Sequence, residues 1–172
     1  MKTEKLLKPF FITLMLVISN SLFAQTKNIV ETAIGSESHT TLVAAVKAAD
    51  LVGVLSSEGP FTVFAPTNDA FEKLPAGTVE SFLMAENKTT LQNILKYHVV
   101  AGKFMAADVI ALINKSNGKA TIATVNGGNL TAWLKDGSVY LTDAKGNSSK
   151  VIVANLDNSN GVIHVVDTVL LP

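Results

Sequence analysis

"NLTAWLKDGSVYLTDA", residues 129–144, holds two strand-like runs on either side of Asp136-Gly137. Asp-Gly accepts the positive φ values of a two-residue hairpin turn, so the stretch predicts two antiparallel strands. Similar runs lie on both sides: "KATIATV" (119–125), "KVIVANL" (150–156) and "VIHVVDTVLL" (162–171). They are separated by "NGG", "KGNSS" and "DNSNG", which are turn-forming clusters. From about Lys119 onward the chain therefore reads as consecutive strands.

Upstream the periodicity changes. "HTTLVAAVKAADLVGVL" (39–55) carries Leu42, Val43, Val46, Ala49, Leu51, Val52 and Leu55 as a broad apolar stripe, with Thr40 or Thr41 as N-cap. "FTVFA" (61–65) is aromatic and β-branched and predicts a strand ended by Pro66. Thr67, Asn68 and Asp69 follow as three candidate caps for the helix "DAFEKL". "GTVESFL" (77–83) and "KTTLQNILKYH" (88–98) repeat the cap-then-apolar pattern, with Leu91, Ile94 and Leu95 as the buried face of the second. Early helices followed by late antiparallel strands define an α+β domain rather than a wound parallel sheet.

The chain has 172 residues, 48% of them hydrophobic and 16% charged, enough for one domain with a real core. "MKTEKLLKPFFITLMLVISNSLFAQ" combines Lys2, Lys5 and Lys8 with an apolar run from Phe10 to Ile18 and a small residue, Ala24, which is the layout of a secretory signal peptide over residues 1–24. The expected organisation is that segment followed by a single domain over 25–172, with no stable membrane insertion once the signal is removed. Its expected location is exported, periplasmic or extracellular. Residues 25–172 carry 11 Lys against 13 acidic groups, a formal charge of −2, and this balance gives no electrostatic basis for a nucleic-acid partner. There is no Arg, so any anion would be held by lysine point charges, loosely and with strong salt dependence. There is no Cys, which excludes a thiol nucleophile and a thiolate metal site and leaves the core alone to hold the fold.

The familiar catalytic spacings are missing: there is no G-x-S-x-G, no phosphate loop, no G-x-G-x-x-G and no H-E-x-x-H. The three histidines fall in different segments. His39 borders a helix start, where capping or exposure is the economical account. His98 follows a helix's last turn, where a protonated ring would suit the carbonyl end and a neutral one could bond a nearby carbonyl. His164 points opposite to Ile163 and Val165 in a period-two strand, toward a boundary or water.

Three stretches, "FTVFAPTNDAF" (61–71), "LKYHVV" (95–100) and "NGVIHVVDTVLLP" (160–172), resemble the two long motifs and the Tyr-His motif of the fasciclin domain, in the right order. The resemblance runs from about Asn28 to Pro172. It implies a fasciclin-like α+β fold, a β-sandwich wedge of about seven strands with several helices packed along one side. It also implies an extracellular, non-enzymatic adhesion or matrix-binding module. In animal members of that family, residues around the Tyr-His motif and an Asp-Ile pair before the last motif are implicated in integrin binding. The matching positions are Tyr97 and His98, and Asn155 and Leu156; an amide in place of the carboxylate argues against carrying integrin recognition to Asn155.

These readings converge on a secreted binding module for a protein or polysaccharide at the cell surface or matrix, with no cofactor or metal. Tyr97, His98, Asn155 and Leu156 are its candidate partner surface, and Thr67, Asn68, Asp69 and His164 its structural motif residues. Tyr97 and His98 are expected to pack against "FAPTNDAF". An exported carrier of a small apolar ligand or metal is the alternative, and an Asp69–His98 acid/base pair beside a cleft is a third possibility.

Overall fold

The computed structural model describes residues 26–172; the predicted export segment, 1–24, lies outside them. Seven strands form one strongly bent sheet in the order β2-β1-β7-β6-β5-β4-β3. They are β1 (Phe61–Pro66), β2 (Val99–Ala101), β3 (Lys119–Ala123), β4 (Asn129–Lys135), β5 (Ser138–Thr142), β6 (Ser148–Asn158) and β7 (Gly161–Val166). The predicted hairpin is β4–β5, closed by Asp136 at φ 51° and Gly137 at φ 76°. The late strands lie where the sequence puts them, except that β7 ends at Val166, short of the predicted run to Leu171.

The bend is made by β6. Its first residues, Ser148–Lys150, pair with β5, and its later ones with β7, with register shifts between Val151 and Val153 and between Val153 and Leu156. Bulges of this kind increase local twist and let one strand serve two halves of a sheet. The far edges then approach each other: Val125 N–H, just past β3, donates to Val99 O of β2 at 2.8 Å. The result is a nearly barrel-like wedge. One pairing departs from the all-antiparallel expectation, because β1 and β7, second and third in the sheet, run parallel. Helices α4–α7 and strands β2–β6 separate these two strands in sequence, so no hairpin dictates their direction.

Among the described residues seven α-helices accompany the sheet: α1 (Ile29–Ile34), α2 (Thr40–Ala48), α3 (Val52–Leu55), α4 (Asn68–Glu72), α5 (Thr78–Leu83), α6 (Lys88–Tyr97) and α7 (Ala106–Lys115). The single helix expected over 39–55 is two. Asp50 adopts φ 59°, Leu51 N–H reaches Val46 O at 3.0 Å and Asp50 N–H reaches Lys47 O at 3.1 Å. That is a Schellman ending, and it lets Leu51 and Leu55 turn back into the core. The cap of α2 is His39 rather than Thr40 or Thr41.

Two cores lie on opposite faces of the central strands. Helices α1, α2, α4 and α6 bury Ile29, Leu42, Val46, Phe71, Leu91 and Leu95 against Val63, Ala65, Ile163 and Val165. Alternate residues of the same strands, Phe64 and Val166, point into the bend of the sheet, where they meet Tyr97, Leu130, Leu141 and Leu170. Helix α7 fills that second core with Val109 and Ile113, so the helices are not all on one side. Helix α7 and helix α1 are absent from the sequence expectations, although Val109, Leu112 and Ile113 have helical spacing and Asn28 and Glu31 complete a capping box.

Candidate functional site

Tyr97 and His98 form the corner from α6 to β2, between the two cores. Neither ring reaches the surface: Tyr97 is 0% and His98 2% exposed. The Tyr97 hydroxyl donates to Asn129 O at 2.6 Å and accepts from Ala144 N–H at 3.0 Å. Its ring lies so close to Gly128 that a Cβ there would stand 2.8 Å from Cε2. Burial raises the phenol's pKa, opposed by the Ala144 N–H, with Asp143 adding to the rise.

His98 Nδ1–H donates to Ile94 O at 2.9 Å and Nε2 accepts from Leu170 N–H at 3.0 Å. These two partners fix one neutral tautomer. Burial pushes the imidazole down to about 4, against the smaller pull of the Ile94 carbonyl and Asp143. The ring is thus a neutral strut at the helix end, not the protonated cap that the carbonyl terminus would favour.

Tyr97 shares the second core with Phe64 of the "FAPTNDAF" segment, and Phe64 N–H donates to His98 O at 2.9 Å. The side chains hold the start of β4, the turn after β5 and the C-terminal tail. Asp143, which the sequence reading passed over inside the turn "DAKGN", completes this anchorage by accepting from Asn147 N–H at 2.8 Å and Leu171 N–H at 2.9 Å.

His164 is also internal, at 2% exposure, because β7 is covered on both faces. This corrects the expectation of a boundary or solvent position, which assumed that one face of the strand would be open. Its ring stacks on Phe64 at 5.7 Å, Nε2–H donates to Phe104 O at 2.7 Å, and Nδ1 accepts from Asn155 N–H at 3.2 Å. Burial lowers its pKa, with the Phe104 carbonyl opposing. His39, expected to cap or to be exposed, is buried; its Nδ1 bonds the Ser36 hydroxyl at 2.7 Å and its Nε2 has no partner among the described residues. Burial lowers its pKa, and the Ala65 carbonyl acts the other way without completing a hydrogen bond.

The candidate caps divide their work. Thr67 caps α4 by accepting from Ala70 N–H at 3.3 Å. Asn68 reaches across to the start of α2, accepting from Thr41 N–H at 3.0 Å and donating to Glu37 O at 2.9 Å. Asp69 is exposed in the first turn of α4, where its charge suits the helix N-terminus. It makes no hydrogen bond with His98, so the acid/base pair does not assemble.

Asn155 sits in the left-handed region at φ 61°, a conformation Asn tolerates better than most residues. Its Oδ1 accepts from Ala106 N–H at 2.7 Å and so ties the bulge of β6 to the start of α7. Leu156 is 36% exposed, with Ile152 and Val153 also exposed on the same strand. Of the four residues proposed for a partner surface, only these last two, Asn155 and Leu156, lie at the surface.

Two alternatives can be weighed against geometry. A wholly apolar cavity of about 40 Å³ lies between the helices and the sheet, lined in part by Val46, Leu55, Phe64 and His98. It is far below the roughly 300 Å³ at which small-molecule sites begin. Among the described residues no three His, Asp or Glu side chains converge as metal ligands, and no helix is long and apolar enough to cross a membrane.

A bent seven-stranded sheet, backed by helices and pinned through a buried Tyr-His corner, defines an α+β module whose conspicuous polar residues are spent on its own frame. The chain belongs to the fasciclin domain family, whose model matches residues 37–172. It is 55% identical to the Synechocystis protein sll1483 over 91% of this chain and 79% of that one. It is 36% identical to pig transforming growth factor-beta-induced protein ig-h3, over 80% of this chain but only 18% of that much longer protein. Among solved structures, a FAS1 domain pair from the insect cell adhesion molecule Fasciclin I superposes with a TM-score of 0.75 at 17% identity, covering 86% of this chain and 52% of that one. This last likeness is one of fold.

Proposed function

We propose that the chain is an exported, non-enzymatic binding module that holds a protein or polysaccharide partner at the cell surface or matrix. The observation that carries it is the use of the motif residues: Tyr97, His98 and His164 are buried and their polar atoms are bonded internally. Such residues make a rigid frame, and recognition falls to the faces that the frame holds in place. The family membership and the likeness to a fold found in a cell adhesion molecule support the same reading.

The test is adhesion of the purified protein to immobilised envelope and matrix polysaccharides and proteins. Saturable binding that survives Asp69→Ala, at an exposed residue outside the frame, is expected. Absence of saturable binding to every surface would overturn the module, and turnover of a bound partner abolished by Asp69→Ala would replace it with an enzyme.

A further inference from the structure

The β3–β6 half of the sheet has one buried and one open face. Ala120, Ala132, Leu141 and Ser149 are buried in one row. The next row outward, by strand register, is Lys119, Trp133, Tyr140 and Lys150; beside it runs Thr121, Thr131, Thr142 and Ser148. All eight of these residues are exposed or half-buried.

Trp133 and Tyr140 are stacked, with ring centroids 4.9 Å apart and planes 26° from parallel. The indole N–H donates to the Thr142 hydroxyl at 3.0 Å, which lies 3.0 Å from the Ser148 hydroxyl. The aromatic plate is therefore fixed before any ligand arrives. It borders an open depression of about 460 Å³ lined by Lys119, Thr131, Trp133 and Thr142.

Charge over residues 119–150 is mostly basic, with Asp167 Oδ1 accepting from Lys150 N–H at 2.9 Å. Between residues 119 and 150 there are four Lys (119, 135, 145, 150) against Asp136 and Asp143, and Asp143 is buried and fully engaged by backbone and Asn147 donors. All seven Glu of the chain precede residue 87. Lys119 and Lys150 form no ion pair among the described residues.

We propose that this face binds an acidic polysaccharide, a deepening that rests on the binding-module reading above. The aromatic plate takes the C–H face of a sugar ring, the adjacent hydroxyl row exchanges hydrogen bonds with sugar hydroxyls, and Lys119 and Lys150 bracket carboxylates along the strand-crossing direction. Four strands spaced about 4.8 Å apart make the row about 14 Å long, enough for a short run of sugar units. With lysine rather than arginine at both ends, the attraction is a screened point-charge attraction and weakens with salt. A neutral sugar would leave the lysines unused, and a nucleic acid would leave the hydroxyl row without its purpose.

Trp133 is the only tryptophan of the chain, so its fluorescence reports this face directly. The purified protein is titrated with polygalacturonate, and in parallel with neutral dextran and an oligodeoxythymidylate. A saturable change in emission with polygalacturonate alone is expected, suppressed by salt and weakened about tenfold or more in the Lys119→Glu, Lys150→Glu variant. Lys119→Gln, at an exposed side chain, provides a milder variant and is expected to weaken binding less. An unchanged emission, equal affinity in the charge-reversed variant, or an equal response to the oligonucleotide would overturn the assignment. Adhesion of the wild type that persists in the charge-reversed variant would overturn this face and leave the module intact, whereas a wild type that adheres to nothing would overturn the module itself.

Discussion

Acidification should destabilise this fold well before its carboxylates titrate, and His98 sets the size of the effect. In the folded chain its imidazole is pushed from 6.5 down to about 4 by burial. The unfolded chain takes up that proton as pH falls below 6.5, while the folded one resists until about 4. The stability that the neutral ring represents is therefore complete above 6.5 and is lost progressively between 6.5 and 4. The difference of about 2.5 pH units corresponds to about 3 kcal/mol, a sizeable share of the roughly 5–15 kcal/mol that holds a domain together. His39 and His164 are lowered by burial and add in the same direction. Asp167 acts in a separate window: burial alone would raise its carboxyl, but Lys150 N–H, the Thr168 hydroxyl and Lys73 hold it below 3.8, so its contribution disappears only at lower pH. Urea unfolding between about pH 7 and pH 4 measures the slope. His98→Gln, whose amide can donate to Ile94 O and accept from Leu170 N–H, should unfold with a visibly shallower dependence across this range. Parallel curves for the two proteins, or a flat wild-type curve, would refute the assignment of a buried neutral strut.

Three further outcomes follow from named contacts. Tyr97→Phe removes the hydroxyl from Asn129 O and Ala144 N–H and should cost about 2 kcal/mol in urea unfolding, since both groups lose a partner in a half-buried setting. Gly128→Ala would place a methyl 2.8 Å from Tyr97 Cε2 and 3.0 Å from Asn126 Oδ1; a loss of about 1–3 kcal/mol is expected, smaller when combined with Tyr97→Leu in a double-mutant cycle. Asn68→Ala should lower stability by about 1 kcal/mol by uncapping α2, with hydrogen exchange faster at Thr41.

Local chemistry made much of the fold legible. The Asp136-Gly137 turn and the alternating runs of β4 and β5 are readable because both register and turn are set within sixteen residues. Most of what escaped depends on distant partners. Asn68 supplies a hydrogen bond to the start of a helix about thirty residues upstream, whereas the left-handed Asp50 that ends α2 is local but hidden within a run of apolar residues. The burial of His164 follows from the two cores that cover β7 on both faces, which its own alternation cannot report. The Lys-Trp-Tyr-Lys row is likewise invisible along the chain, since its members are neighbours only across four strands.

The position of Tyr97 and His98 also decides how binding experiments on this protein must be interpreted. The two rings join α6 to β4, to the turn after β5 and to the C-terminal tail, so truncating both to Ala opens the second core and releases Leu170 and Ala144 together. A partner lost in such a variant reports loosening of every face that hangs on this corner, including the β3–β6 platform, and does not locate a contact. Lys119 and Lys150 carry no part of that frame through their ammonium groups. Binding lost on their charge reversal, at unchanged urea midpoint, therefore assigns a surface, whereas binding lost with Tyr97→Ala, His98→Ala at a lowered midpoint measures only the strut.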